Sequence, residues 1–144
     1  MSAHLLARVG DERFAFALDR VMEALDAPAL HDPPWRPVGM LGTLRHRGQT
    51  LLVWDGGDAF GIRRSGTTGT ALVLDHAGRQ LALLVDDAMD IVPVADGALR
   101  ALPSMGDGEN VLAGVVEDAH GLVNVVRVDV LVARLESRGA RRME

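Results

Sequence analysis

Apolar and polar side chains alternate in short runs along most of the chain, and a period of two predicts strands rather than helices. Leu5–Val9 and Arg13–Leu18 flank Gly10 and Asp11, a two-residue signal for a hairpin turn. Phe14, Phe16 and Leu18 fall on one face of the second run and Ala15 and Ala17 on the other, so that strand is half-buried with a small second face. Val21–Leu25 reads as a third strand or a single turn, because five residues are compatible with either period. Pro28, Pro33, Pro34 and Pro37 then impose a connector without regular structure, each removing a backbone donor and restricting its predecessor. Trp35 within it is placed to cap an apolar surface. Thr43–His46 and Thr50–Trp54 make a further hairpin inside the stretch Gly42–Asp55, turning at Gly48. Asp55 N-caps a short helical turn to Phe60, weakened by Gly56 and Gly57, and Gly61–Gly69 is a flexible link.

Beyond the link the pattern starts again. Strands are predicted over Ala71–Leu74, Gln80–Val85, Ala88–Val92, Val111–Glu117 and Leu122–Arg127, with a loop from Ala95 to Asn110 in place of the proline connector. Asp129 caps a terminal helix, Val130–Arg138, that ends near Gly139. Phe14–Leu25 aligns without a gap on Leu81–Val92, placing Ala15 on Ala82, Asp19 on Asp86, Met22 on Met89 and Glu23 on Asp90. Gly42 and Gly114 each enter a glycine-turn motif whose apolar run ends on an aspartate, Asp55 or Asp129, and the residues before the turn glycines are Arg47 and His120. Shared order, near-constant offset and matched acids read as a duplication.

Five short strands per copy predict an all-β chain of two small five-stranded barrels packed side by side, with a short C-terminal helix; one sandwich of eight to ten strands is the alternative. Half the chain is too small for a robust core of its own, so residues 1–144 are expected to form a single domain whose copies share an interface. Subdomain one is expected at about 10–68 and subdomain two at about 69–144, with the N-terminal strand open to sharing.

Composition narrows the partners. Apolar residues make up 48% and aromatics 3%, so the core is aliphatic. Twenty acids against fifteen bases give a net charge of −5, which argues against nucleic acid or an anionic membrane as the main partner. There is no cysteine to frame disulfides or bind zinc, and no apolar run long enough to insert directly in a membrane. Charge comes too early at the N-terminus for a signal peptide, so a soluble cytoplasmic protein is expected.

Catalytic chemistry finds little support. The histidines His4, His31, His46, His76 and His120 are scattered without metal-ligand spacing. His46, between Arg45 and Arg47, reads as an exposed strand residue. Ser65, Thr67 and Thr68 lack a nucleophile elbow, and the link around them lacks a phosphate-loop pattern. Asp86-Asp87 invites a two-carboxylate reading, but strand alternation separates the side chains and turn capping explains them more simply. An enzyme would need a pocket gathering Asp86, Asp87 and a histidine; neither an enzyme nor a cofactor is expected. The departures from burial logic point to protein contact instead. Arg47 is either a solvated strand end or an arginine aimed at a partner carboxylate. Val21, Glu23 and the run Val38–Leu41 either pack in the core or form an apolar stripe with a polar rim, suited to receiving a helix.

The order FAFALDRVMEAL, RPVGMLGTLRHRGQTLLVWD, LALLVDDAMDIV and LAGVVEDAHGLVNVVRVD resembles the CheW family of bacterial chemotaxis coupling proteins, from about Leu5 to Leu135. Gly42, Arg47-Gly48, Val53 and Asp55 match the family's G-x-x-N-L-R-G and P-V-x-D elements. The resemblance implies two SH3-like five-stranded barrels with a hydrophobic groove between them, no catalysis, and an adaptor role. The implied partners are the cytoplasmic domain of methyl-accepting chemoreceptors and the regulatory domain of a CheA-type histidine kinase. Receptor-binding positions carry over to Val21, Glu23 and Gly42, with Arg47 and Gly48 holding the turn beside the contact surface. The sequence departs from the family at Arg45-His46 (Asn-Leu), Leu52 (Pro) and Gly56 (Leu), while Gly57 and Asp58 replace basic residues and the loop Ser104–Asn110 looks short. Loss of leucine at 56 is expected to weaken packing under the next turn, and His46 to add pH dependence. These departures favour receptor binding over kinase binding. An accessory relative that binds receptor alone, as in Frz-type motility systems, and a self-associating regulatory domain are the alternatives.

Overall fold

The computed structural model describes residues 2–101 and 110–142, and shows ten strands and two helices. The shortness expected of Ser104–Asn110 falls, apart from Asn110, outside the described residues. In chain order the elements are β1 (Ser2–Val9), β2 (Glu12–Ala17), β3 (Val21–Asp26), β4 (Met40–His46), β5 (Gln49–Asp55), α1 (Gly56–Phe60), β6 (Thr70–His76), β7 (Arg79–Val85), β8 (Asp87–Val94), β9 (Leu112–Asp118), β10 (Gly121–Val126) and α2 (Val128–Arg142). Val21–Leu25 proves to be strand, preceded by a single 3-10 turn at Leu18–Arg20.

The strands form two five-stranded sheets, ordered β8-β1-β2-β10-β9 (the first sheet) and β3-β6-β7-β5-β4 (the second). The division of strands at about residue 68 is therefore corrected. The second sheet holds the continuous segment from Val21 to Val85, and the first joins the N-terminal hairpin to the C-terminal strands. The physical reason lies in the connections. Only three residues separate β2 from β3, with no glycine among them, and only Asp86 separates β7 from β8. One residue cannot reverse a strand into a hairpin, which needs at least two. The chain instead bends and crosses into the other sheet at both points.

The exchange is reciprocal. In each sheet the first two strands of one copy lie beside the last three of the other, and the registers coincide. Val53 faces Ala82 across the parallel pair β5·β7, and their repeat mates Val125 and Ala15 face each other across β10·β2. Met40 faces Trp54 and Gly42 faces Val53, as Leu112 faces Val126 and Gly114 faces Val125, with the same bulge between. Both bulge glycines have φ of +155°, and a short bridge covers each, His31 to Thr43 and Arg100 to Val115. A Cβ on Gly42 would stand 2.7 Å from the His31 carbonyl oxygen, so this site admits no side chain without backbone movement.

Alternation divides the apolar side chains among three cores. Leu44, Leu51, Val53, Ala71, Val73, Ala82 and Leu84 fill the second sheet's barrel, and Leu6, Ala15, Val123 and Val125 fill the first. The opposite faces, including Phe14, Phe16, Leu72, Leu74 and Leu83, meet in a larger core between the sheets. Helix α2 closes that core with Val128, Leu131, Val132 and Leu135 at helical spacing. It runs past the expected stop: Gly139 lies within the helix, facing Leu52 and Trp54 at ordinary contact distance, and its backbone does not take the left-handed conformation of a helix stop. Asp129 lies inside the helix rather than at its cap. Asp55 does cap α1, accepting from the Gly57 N–H at 2.9 Å and from Arg64 Nε at 2.7 Å. Gly56 there is buried, and a Cβ would come within 2.6 Å of the Leu84 carbonyl oxygen. The glycine lets α1 lie against β7, so the expected packing loss at position 56 is replaced by close backbone contact.

Candidate functional site

Strands β3 and β4 are the two edges of the second sheet, and no backbone pairing joins them. Side chains span the gap instead. Burial on β4 alternates, with Leu44 and His46 inward and Arg45 outward, so His46 sits in the barrel mouth with its side chain 8% exposed. The sequence reading of His46 as exposed is thus corrected; the period-two pattern through Leu44 was the signal that would have placed it inward. Its Nε2 donates to Glu23 Oε1 of β3 at 2.6 Å. That hydrogen bond holds the Glu23 carboxyl below the usual carboxylate range; desolvation opposes it in part, and the charges of His46 and Arg47 add to it.

Arg47 and Gly48 form the two-residue turn between β4 and β5, both with positive φ (+50° and +79°), a turn that matches the twist of a hairpin. Arg47 projects into solvent, its side chain 79% exposed, with one guanidinium nitrogen 3.8 Å from Glu23. Val21 lies two residues before Glu23 on the same strand; a bulge between them turns it toward the core between the sheets, where it is half-buried. The structure therefore brings Glu23 to the Arg47-Gly48 turn and keeps Val21 two residues away on the strand that carries Glu23. Gly42 is elsewhere, four residues up β4 from His46 and covered by the His31 bridge. Its position is explained by backbone packing.

The second copy's turn differs. Register places Ala119 opposite Arg47's position and His120 at Gly48's, since Asp118 faces Gly121 as His46 faces Gln49. Arg47's counterpart is Ala119, not His120. The repeat mates of Glu23 and His46 are Asp90 and Asp118, two carboxylates in place of a carboxylate and a ring N–H donor. Asp118 instead accepts both guanidinium nitrogens of Arg13 at 2.7 Å, and the His120 N–H at 2.8 Å. Between β8 and β9 lies a groove of about 350 Å³ lined by Val92, Val94, Ala98, Val116, Glu117 and Val123.

Asp86, half of the candidate carboxylate pair, is a structural residue. It stands where the chain crosses between sheets, 2% exposed, and accepts from Gly10 N at 2.7 Å, from Ser65 N at 2.9 Å and from Gly66 N at 3.2 Å, with Arg8 3.8 Å away. Burial pushes its carboxyl up, but the three N–H groups and Arg8 together outweigh that and hold it below the usual range. Asp87, on the exposed strand β8, takes no part.

A family model described as the CheW-like domain matches residues 3–136. A protein named probable chemotaxis protein CheW, from Rhizobium etli, is 26% identical over 137 residues, covering 92% of this chain and 88% of that protein. The crystal structure of the scaffolding protein TtCheW from Thermoanaerobacter tengcongensis superposes with a TM-score of 0.76 at 17% identity, over 87% of this chain and 88% of that one.

Proposed function

The chain belongs to the CheW-like domain family, and from that premise we propose that it is a non-catalytic, cytoplasmic adaptor of bacterial chemosensory signalling. It binds the cytoplasmic tip of methyl-accepting receptors through β3 and the β4–β5 turn. The observation that carries this reading is the grouping of Glu23, Arg47 and Gly48 at the exposed barrel mouth, beside half-buried Val21. A helix laid along β3 would meet the Glu23–Arg47 pair, with half-buried Val21 at the start of the same strand. Coupling of the receptors to the regulatory domain of a CheA-type kinase is the further step that family membership supports.

Binding of the full chain to a receptor-tip fragment and to a kinase regulatory domain, measured separately, tests the proposal. Binding to the receptor fragment is expected, and Val21→Asp should weaken it at least about tenfold, the loss typical of a charge placed in a docking centre. The melting temperature of the variant distinguishes lost contact from lost fold. No binding of the parent to the receptor fragment overturns the adaptor reading. Binding to the receptor but not the kinase restricts it to the accessory form.

A further inference from the structure

At the second sheet's mouth, a histidine and an arginine face one carboxylate. His46, whose side chain is almost entirely buried, reaches Glu23 at 2.6 Å, whereas exposed Arg47 stands 3.8 Å away. A short hydrogen bond from a fixed, desolvated donor prevails over a solvated guanidinium on a flexible stem, whose ion pairing is weak. Arg45, the other arginine of the turn region, donates to Thr50 Oγ1 on its own hairpin at 3.3 Å. Gln49, opposite His46 in register, is neutral. We propose that His46 is a positioning residue: by holding the Glu23 carboxylate it keeps Arg47 available to pair with a carboxylate on the bound partner. This rests on the adaptor reading above and names the chemistry of its partner there, an acidic side chain on the docked helix. The first sheet shows the same fold position without the device. Its equivalent of His46 is Asp118, and Arg13 is consumed in neutralising it.

Without the histidine, Glu23 is free to turn to Arg47 and compete with the partner. His46 therefore acts through Glu23, and a double-mutant cycle reads that dependence. With the full chain and a receptor-tip fragment as probe, His46→Leu should weaken binding about threefold, on the scale of an exposed ion pair. The same change made together with Glu23→Gln should have no effect relative to Glu23→Gln alone. His46→Gln, which keeps an N–H donor of similar reach, should preserve parental affinity. A purely structural histidine would instead lower affinity equally in both backgrounds, and that result overturns the proposal. Arg47→Gln, at an exposed position where folding is not in question, should cost at least threefold; parental affinity in that variant overturns it too, even if His46→Leu fails to fold. A parent protein that does not bind the fragment removes the adaptor reading and this inference together, whereas binding with an additive cycle removes this inference alone.

Discussion

The mouth between β3 and β4 and the mouth between β8 and β9 occupy the same place in two sheets of identical strand order and register. In one, a histidine and a glutamate meet across the gap; in the other, two aspartates cannot, and among the described residues an apolar groove lies between the edge strands. The backbone of the repeat has been kept while its side chains have been given different tasks. Register is constrained because a one-residue slip would turn every buried side chain outward. Edge side chains face no such penalty, so they are where two copies of a unit can diverge.

The sharpest way to break the comparison is at the residue it treats as common to both sheets. Gly42→Val and Gly114→Val should each destabilise the protein by about 2–4 kcal/mol, because each puts a Cβ against a carbonyl oxygen at a φ that side chains avoid. Urea unfolding measures both, and a large effect at one with none at the other would show that the bulges are not equivalent. It follows that loss of receptor binding in a Gly42 variant reports on folding before it reports on contact.

The two crossing points should differ more than the two bulges. Asp86 gathers three backbone N–H groups while its repeat mate Asp19 is exposed, so Asp86→Asn should cost about 2 kcal/mol and Asp19→Asn less than about 0.5 kcal/mol. The pH dependence follows from the depressed carboxyl of Asp86 in the folded state. Its contribution is present above the unfolded aspartate value, about 4, and is lost as pH falls toward the lower folded value. Chemical denaturation from pH 7 to pH 3 should therefore show a shallower loss of stability in Asp86→Asn than in the parent.

The smallest effect separates the mouths themselves. Arg13's hydrogen bonds, and then the His120 N–H, hold the Asp118 carboxyl far below the usual carboxylate range. In Arg13→Met the Asp118 midpoint, followed by carboxyl NMR shifts, should rise toward that of an ordinary aspartate while the Glu23 midpoint stays where it was. A shift in both would mean that the two mouths are electrostatically coupled.

Strand positions were legible because each is fixed by local pattern. Gly10-Asp11 and Gly48 announce turns, and Phe14 and Phe16 or Leu51 and Val53 announce an inward face. The family, too, could be read from Gly42, Arg47-Gly48 and Asp55. His46 was misread because its flanking arginines suggested solvent, although Leu44 two residues earlier already marked the inward face. Gly139 reads as a stop because a glycine near a helix end usually is one; here its φ is not positive and the helix continues through it.

The sequence by itself determined that this is a duplicated, aliphatic, all-β chain with a C-terminal helix, since alternation, turn residues and the repeat are all local or one-dimensional properties. Only the tertiary structure decided which strands pair, that the two copies exchange their first hairpins, and that His46 reaches Glu23. Strands of the same pattern offer the same hydrogen-bonding edge, so their own residues do not choose between neighbours. The choice is made by a one-residue connection too short to turn back, a three-residue connection without a turn glycine, and a core that closes only when both sheets face each other.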